Sequence, residues 1–389
     1  MKNKVLAIFK YHRPWNTDVV NSFSNFYEIQ SLQINDYKNK NFSEIINDIN
    51  NIIKSKNIEI VIFDVDYFKF INLFFIQKIS CKKKILITGD DFELHEMNAI
   101  TASSCDIVLT GCPLSKLKYR EKGYKAYFIN FENSKLKKSS VVKKEIDVLF
   151  FGHITNERKK FLDYIVKEGI NLKNVGHEAH IRGIPEDELA NLISKSKIVL
   201  NLSKSRTDSS IKSFSSHNPY KFFYQMKGRI IVAGMNGVLC VSEYSPSQEL
   251  FFNKDEIPTF YTKDECVEIL KKILSDQSLL ERYTNKFTYK VNEIFNNENI
   301  FKNINRSIEG KDNKRVELTR VPYWYLRISV KQILLRNIKL STLIKNVSQL
   351  NLIFEIIKKS NFISKFLILS ESILNILWYS LTFTLKMKK

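Results

Sequence analysis

The feature that most constrains this chain is a succession of short apolar runs, each followed by a segment with helical spacing. Val5–Phe9, Ile58–Val65, Lys84–Thr88, Asp106–Thr110 and Lys125–Phe131 read as strands, with Tyr27–Ile34 as a further candidate. Between them, Ile45, Ile46, Ile49, Ile52 and Ile53 in Ser43–Lys54 repeat as one face of an amphipathic helix. A strand that is apolar throughout must be covered on both faces. Such strands alternating with helices predict a parallel sheet between two helical layers.

The pattern stops at a polar, basic stretch without periodicity and then begins again. Asp147–Phe151 is a strand ending at Gly152, Glu157–Glu168 a helix closed by Gly169, Pro185–Ser196 a helix with an acidic first turn, and Ile198–Leu202 a strand. The fold expected is α/β, with two Rossmann-like halves and a cleft between them. The expected organisation is a first domain over 1–135, a linker over 136–145, a second domain over 146–310 and a helical tail over 311–389.

Charge separates the tail from the rest. The formal net charge of the 389-residue chain is +20, which asks for an anionic partner. From Lys314 onward there are fourteen Lys and Arg against three acids, Glu317, Glu355 and Glu371, so more than half of the excess lies in the last fifth of the chain. That tail is also aromatic, beginning with Tyr323-Trp324-Tyr325. Basic, aromatic and helical patterning together suits an amphipathic helix lying in the surface of an anionic membrane. Phe362–Leu385 has the length to span a bilayer, but it carries Lys365, Glu371 and six Ser or Thr. An in-plane helix is the leading expectation, and a helix packed on the protein body the next. The first apolar run, Val5–Phe9, is only five residues, far shorter than a secretory segment, and the five cysteines have no paired spacing. Both features predict a chain that starts near Met1 and stays on the cytoplasmic side with reduced thiols. A nucleic-acid partner is not expected, because the charge concentrates in an apolar tail and no nucleic-acid-binding motif is present.

Several chemistries lack their signatures. There is no G-x-G-x-x-G, no P-loop, no H-E-x-x-H and no G-x-S-x-G, which removes dehydrogenase, NTPase, zinc protease and α/β-hydrolase from the first rank. His177 and His180 are spaced as ligands on one helical turn, but no third ligand accompanies them, and no metal is expected.

The most informative segment is Ser216 to Phe252. Asn218-Pro219 opens a predicted helix and Gly237 closes it. Lys221, Gln225 and Arg229 would then form one polar stripe, suited to a diphosphate or, equally, to plain solvent exposure. Val238–Val241 follows as a strand, and Pro246–Phe252 starts the next helix.

This segment resembles the C-terminal signature of GT-B glycosyltransferases, in particular the group 1 and spore-maturation-type branches. The likeness lies in Arg229-Ile230-Ile231-Val232-Ala233, Gly237, Ser242-Glu243 and Glu249-Leu250-Phe251. Asp147–Gly152 with Arg158, and Thr88-Gly89-Asp90-Asp91-Phe92 in the first half, resemble further pieces of the same branches, in the same order. The resemblance implies a glycosyltransferase that uses a nucleotide-diphosphate sugar as co-substrate, with no other cofactor. Arg229 and Lys221 would neutralise the diphosphate, Glu243 or Glu249 would hold the ribose, and Gly152 would admit the phosphate. Asp90 or Asp91 would serve as general base toward a lipid-linked or cell-surface glycan acceptor. The tail would hold the enzyme peripherally on the inner face of the membrane. One departure is visible: Val232 stands where the family pattern has a helix glutamate. It motivates the alternative of a non-catalytic scaffold or binding protein in polysaccharide or envelope assembly.

Overall fold

In a computed structural model, the structure describes residues 2–10, 14–37, 40–65, 70–89, 91–130, 143–177, 184–204, 224–295, 297–310, 315–318, 321–335, 366–368 and 370. The chain divides into two compact units. The first comprises 1–111, 115–127 and 304–389, and the second 112–114 and 128–303.

The first unit is built on six strands, β1 (Lys4–Phe9), β2 (Glu28–Gln33), β3 (Ile60–Asp64), β4 (Lys83–Thr88), β5 (Ile107–Thr110) and β6 (Ala126–Phe128), the first five paired in parallel. Their order is β2-β1-β3-β4-β5-β6. Helices α1 (Pro14–Ser24), α2 (Phe42–Ser55), α3 (Leu73–Lys78), α4 (Asp91–Ala102) and α5 (Pro113–Glu121) alternate with the strands. The apolar runs are interior as expected: β3, β4 and β5 are buried along their whole lengths. Local sequence sets the helix ends. Asn41 and Glu44 form a reciprocal capping box at the start of α2, while Ile45, Ile46, Ile49 and Ile53 turn inward.

The second unit repeats the plan with five parallel strands, β7 (Ile146–Phe150), β8 (Leu172–Asn174), β9 (Ser196–Asn201), β10 (Leu239–Glu243) and β11 (Thr259–Phe260). Their order is β11-β10-β9-β7-β8. The chain runs from β7 outward to β8, then returns to the other side of β7 for β9. The switch point of this sheet therefore lies between β7 and β9, and in open α/β sheets ligands bind beyond the carboxyl ends at such a point. Helices α6 (Asn156–Lys167), α7 (Glu186–Ser194), α8 (Gly228–Met235), α9 (Lys263–Ser275) and α10 (Gln277–Ile294) complete the unit. Two of them place the site. Thr155 caps α6, which stops at Gly169 with φ +84°. α8 closes on Gly237, φ +70°, with Val238 N–H bonded to Ala233 O and Gly237 N–H to Gly234 O, so the predicted C-terminal glycine is in place.

The start of α8 corrects the sequence reading. The predicted helix from Pro219 would carry Lys221, Gln225 and Arg229 on one stripe. Instead, Tyr224 pairs antiparallel with Lys204, and Gln225 is buried with its N–H on Ser203 O. The helix begins only at Gly228, so Gln225 and Arg229 share no helical face. Backbone pairing with the end of β9 overrides the local helix signal. Lys221 and His180 lie outside the described residues.

The last described segments also differ from the expectation. α11 (Asn297–Glu309) is followed by α12 (Tyr323–Leu335), and residues from 304 onward belong to the first unit. Tyr325 and Leu326 are buried. The Tyr325 hydroxyl accepts from Leu73 N–H at 2.9 Å and bonds Thr101 Oγ1 at 2.8 Å. Arg315 holds Asp106 through two donors at 3.0 and 3.1 Å. The aromatic triplet read as interfacial is thus part of the first unit's own packing, because its hydroxyl finds a buried donor and acceptor there. Among the described residues no helix is long and apolar enough to cross a membrane. Phe362–Leu385 lies almost entirely outside them.

Candidate functional site

The carboxyl edge of the second unit's sheet gathers a compact set of charges at the β7/β9 switch point. Arg229, in the first turn of α8, is only 8% exposed. Its guanidinium crosses the switch point, giving Nη1 to Phe151 O after β7 at 2.7 Å, Nε to Asn201 Oδ1 at 3.2 Å and Nη2 to Leu202 O after β9 at 3.3 Å. It also lies over the Phe150 ring, 5.0 Å from its centre. Arg158, near the start of α6, is equally buried and reaches the same place from the other side. It donates to His153 O at 2.7 Å, Lys204 O at 2.9 Å and Leu202 O at 3.3 Å. Two guanidiniums therefore share the Leu202 carbonyl.

Gly152 sits directly against Arg229. Its φ is +106°, and a Cβ there would stand 2.9 Å from Arg229 Nη1. Any side chain would be strained by the backbone angle and would collide with the guanidinium. Gly176 is required for a different reason: a Cβ there would approach Gly152 O to 2.8 Å and Ile154 Cγ1 to 2.5 Å. The two glycines let the turns after β7 and β8 close on each other, with His177 N–H on Gly152 O and Ile154 N–H on His177 O.

On the β10 side, Glu243 Oε2 accepts from Lys204 N–H at 2.9 Å. Burial pushes the Glu243 carboxyl up, against the backbone hydrogen bonds and the nearby Arg158, which hold it down. Asn201 Nδ2, Ser203 and Ser242 knit the ends of β9 and β10 together, and Gln248 donates to Ser242 Oγ and Glu243 O. Glu249 is exposed on the following turn, where it hydrogen-bonds Tyr244. It lines a separate cavity of about 300 Å³ with Tyr244, Tyr261, Lys272 and Tyr283. Arg158, Gly152 and Arg229 do not line that cavity.

Chemically, the switch-point cluster concentrates fixed positive charge. Two fixed guanidiniums held in a dry setting, beside the first turns of α6 and α8, offer a field that a diphosphate would neutralise. The sequence reading had assigned Gly152, Arg229 and Glu243 to the donor, and the fold brings those three together. Glu249 lines the neighbouring cavity instead. Arg158, which motif likeness alone had marked, is the equal of Arg229.

The first unit's carboxylate stands differently from expectation. Asp91 is fully buried, and its oxygens accept from Asn98 Nδ2 at 2.7 Å, Thr110 Oγ1 at 2.7 Å and Tyr119 Oη at 3.0 Å. Its oxygens are spent on the protein's own donors, so the general-base expectation does not suit this residue. Asp90 lies outside the described residues. Next to Asp91 is a residue that sequence reasoning passed over. His95 is 7% exposed, packs its ring on Tyr119 at 4.5 Å, and has no partner for either ring nitrogen. Burial pulls its pKa down to about 4 despite the neighbouring Asp91, so the imidazole is neutral near pH 7. The spacing Asp91 to His95, one helical turn, was the available signal. Among the described residues no group of three or more His, Cys, Asp or Glu could hold a metal ion.

Residues 147–309, nearly the whole second unit, match the family described as glycosyl transferase-like. No curated protein matches the chain. Among solved structures, sucrose-phosphate synthase from Thermosynechococcus elongatus superposes with a TM-score of 0.53 at 8% identity, covering 78% of this chain and 98% of that one. HepE from Anabaena, solved with UDP, gives a TM-score of 0.50 at 8% identity, covering 78% and 99%. At such identity the likeness is one of fold, and the fold is GT-B: two parallel-sheet, Rossmann-like units.

Proposed function

We propose that this chain transfers a glycosyl group from a nucleotide-diphosphate sugar to a lipid-linked or cell-surface glycan acceptor. The observation that carries the reading is the pair of buried guanidiniums, Arg158 and Arg229, meeting at Leu202 O under Gly152. The glycosyl transferase-like match to residues 147–309 supports it. In this reading the acceptor hydroxyl attacks the anomeric carbon, and the bond from that carbon to the diphosphate oxygen breaks. The electron pair goes to the departing nucleoside diphosphate, whose charge the two guanidiniums, helped by Lys221, offset. Glu243 would accept from the ribose hydroxyls. The acceptor's proton goes to a base, which we assign to Asp90 in place of the sealed Asp91. The leaving-group charge is met by protein cations, so the reaction calls for no other cofactor. The order of the motifs supports membership of the group 1 or spore-maturation-type branch. The basic tail supports peripheral attachment to the inner face of the membrane, where such an acceptor would lie.

The test is direct. The protein is incubated with a panel of sugar nucleotides and candidate acceptors while nucleoside diphosphate release is measured. One donor should turn over, and Arg229→Ala should remove about 10²–10³ of the rate. Binding of a donor without turnover by any acceptor would favour the scaffold alternative that Val232 suggests. Absence of both binding and turnover defeats the assignment.

A further inference from the structure

The two histidines left without a role in the donor reading stand beside its anion site. His177, spaced in the sequence with His180, is paired in the fold with His153 instead. The two residues form a parallel bridge three residues past the ends of β7 and β8, in the register of that ladder. Partners in such a bridge project from the same face of the sheet, and the two imidazoles stand edge to face with ring centres 6.0 Å apart. Both are half-buried rather than sealed. Each is tied by its backbone to the anion site: His153 O accepts from Arg158 Nη1, and His177 N–H donates to Gly152 O. The closeness is built in, since Gly176 lacks the Cβ that would push the two turns apart.

The charged groups around this pair come from four elements. Arg158 on α6 reaches His153 O, Arg229 on α8 lies against Gly152, Lys204 after β9 pairs with Glu157 at 3.3 Å, and Glu243 closes the β10 end. Two negative charges from a diphosphate would face these fixed cations and the two imidazoles together. Imidazole is the side chain whose charge ordinarily changes between pH 5 and 8, so an anion placed here favours the imidazolium form.

Resting on the donor reading above, we propose that His153 and His177 form the titratable wall of the donor diphosphate site, so that donor binding takes up protons. The guanidiniums supply a charge that does not change with pH, and the imidazoles supply one that does. The sign follows from linkage. A group that gains a proton on binding contributes affinity that is fully present at low pH and is lost as pH rises through its value in the complex.

The experiment uses the full chain with UDP-glucose and GDP-mannose as probes. Their diphosphates are esterified at both ends and keep a fixed charge over the range studied. Dissociation constants are measured by calorimetry from pH 5.5 to 8.5, in two buffers of different ionisation enthalpy so that proton uptake is read independently. The ring C2 protons of the two histidines are followed by NMR with and without donor, assigned through His153→Gln and His177→Gln. We expect net proton uptake, donor affinity about tenfold weaker at pH 8 than at pH 6, and both ring titrations moved upward in the complex. The double His→Gln variant should bind with a flat profile, whereas Glu243→Gln should keep the slope. Binding that is flat across the range in the wild type, or a slope that survives in the double variant, overturns this inference and leaves the donor reading standing. If neither probe nor any other sugar nucleotide binds at any pH, the donor reading falls and this inference with it. Should the double variant fail to fold, proton uptake and the ring titrations of the wild-type protein decide alone.

Discussion

At the carboxyl edge of the second unit's sheet, two buried guanidiniums reach the same carbonyl oxygen. At the carboxyl edge of the first unit's sheet, one buried carboxylate is surrounded by an amide, a hydroxyl and a phenol. The scaffolds are alike: parallel strands, apolar at the centre of each sheet, with helices between them. The edges differ in what they leave for a ligand. Arg158 and Arg229 are braced by backbone carbonyls, which orient a cation without cancelling its charge. Asp91 is saturated by neutral donors, and nothing of its acceptor capacity faces outward. One edge keeps a field for an anion, and the other uses its charge to fasten β5, α4 and α5 together.

The contrast can be broken most decisively at Arg229. Arg229→Ala should lower turnover by about 10²–10³ and weaken the fold as well, because Phe151 O, Asn201 and Leu202 O lose a buried donor. Arg229→Lys should retain part of the charge but not the three-way brace. Turnover and thermal melting of both variants check this, and a wild-type rate in Arg229→Ala would show that the cluster is purely structural.

Asp91→Asn tests the other edge. It should lower stability by about 1–3 kcal/mol while any residual activity tracks the folded fraction. Denaturant melts beside rate measurements separate the cases. A loss of several orders of magnitude in rate with an unchanged melt would restore Asp91 as the base.

His95 adds a pH signature to the first unit. Its value in the fold, about 4, lies below the ordinary histidine value of about 6.5, so the unfolded chain binds more protons between them. Stability should therefore fall by roughly 3 kcal/mol as pH drops from about 6.5 to about 4, and level off below. His95→Gln should remove most of that slope, as read by denaturant unfolding at both ends of the range. Gly152→Ala should cost about 1–3 kcal/mol through its positive φ and the contact with Arg229, and weaken donor binding in step. Tyr325→Phe, which strips one hydroxyl from a buried pair of hydrogen bonds in the first unit, should cost about 1 kcal/mol in a chemical melt and leave donor affinity unchanged.

Much of the architecture was legible in the residues. The strands announced themselves as apolar runs because a parallel strand must be apolar on both faces. Helix ends were legible where one residue controls them, as at Gly169 and Gly237, whose backbone lies in the left-handed region. Of the residues that meet at the switch point, Gly152, Arg229 and Glu243 were legible. The stripe through Lys221 and Gln225 misled because periodicity cannot see that Tyr224 pairs with Lys204. Asp91 misled for a related reason. A carboxylate at a strand end looks the same in sequence whether its partners are a ligand or Asn98, Thr110 and Tyr119. The start of the tail read as interfacial because a basic, aromatic helix has the same pattern whether it meets lipid or its own protein.

The sequence by itself determined the central strands of the two sheets, their covering helices and the glycines that close helices, since these depend on side-chain period and local backbone freedom. Only the tertiary structure decided which charges meet. Arg158 and Arg229 are distant in sequence and arrive at one carbonyl because two crossovers of the sheet deliver them there, while the same folding seals Asp91 away. Coulomb interaction and desolvation act over a few ångströms, and no pattern along the chain encodes which residues come within that distance.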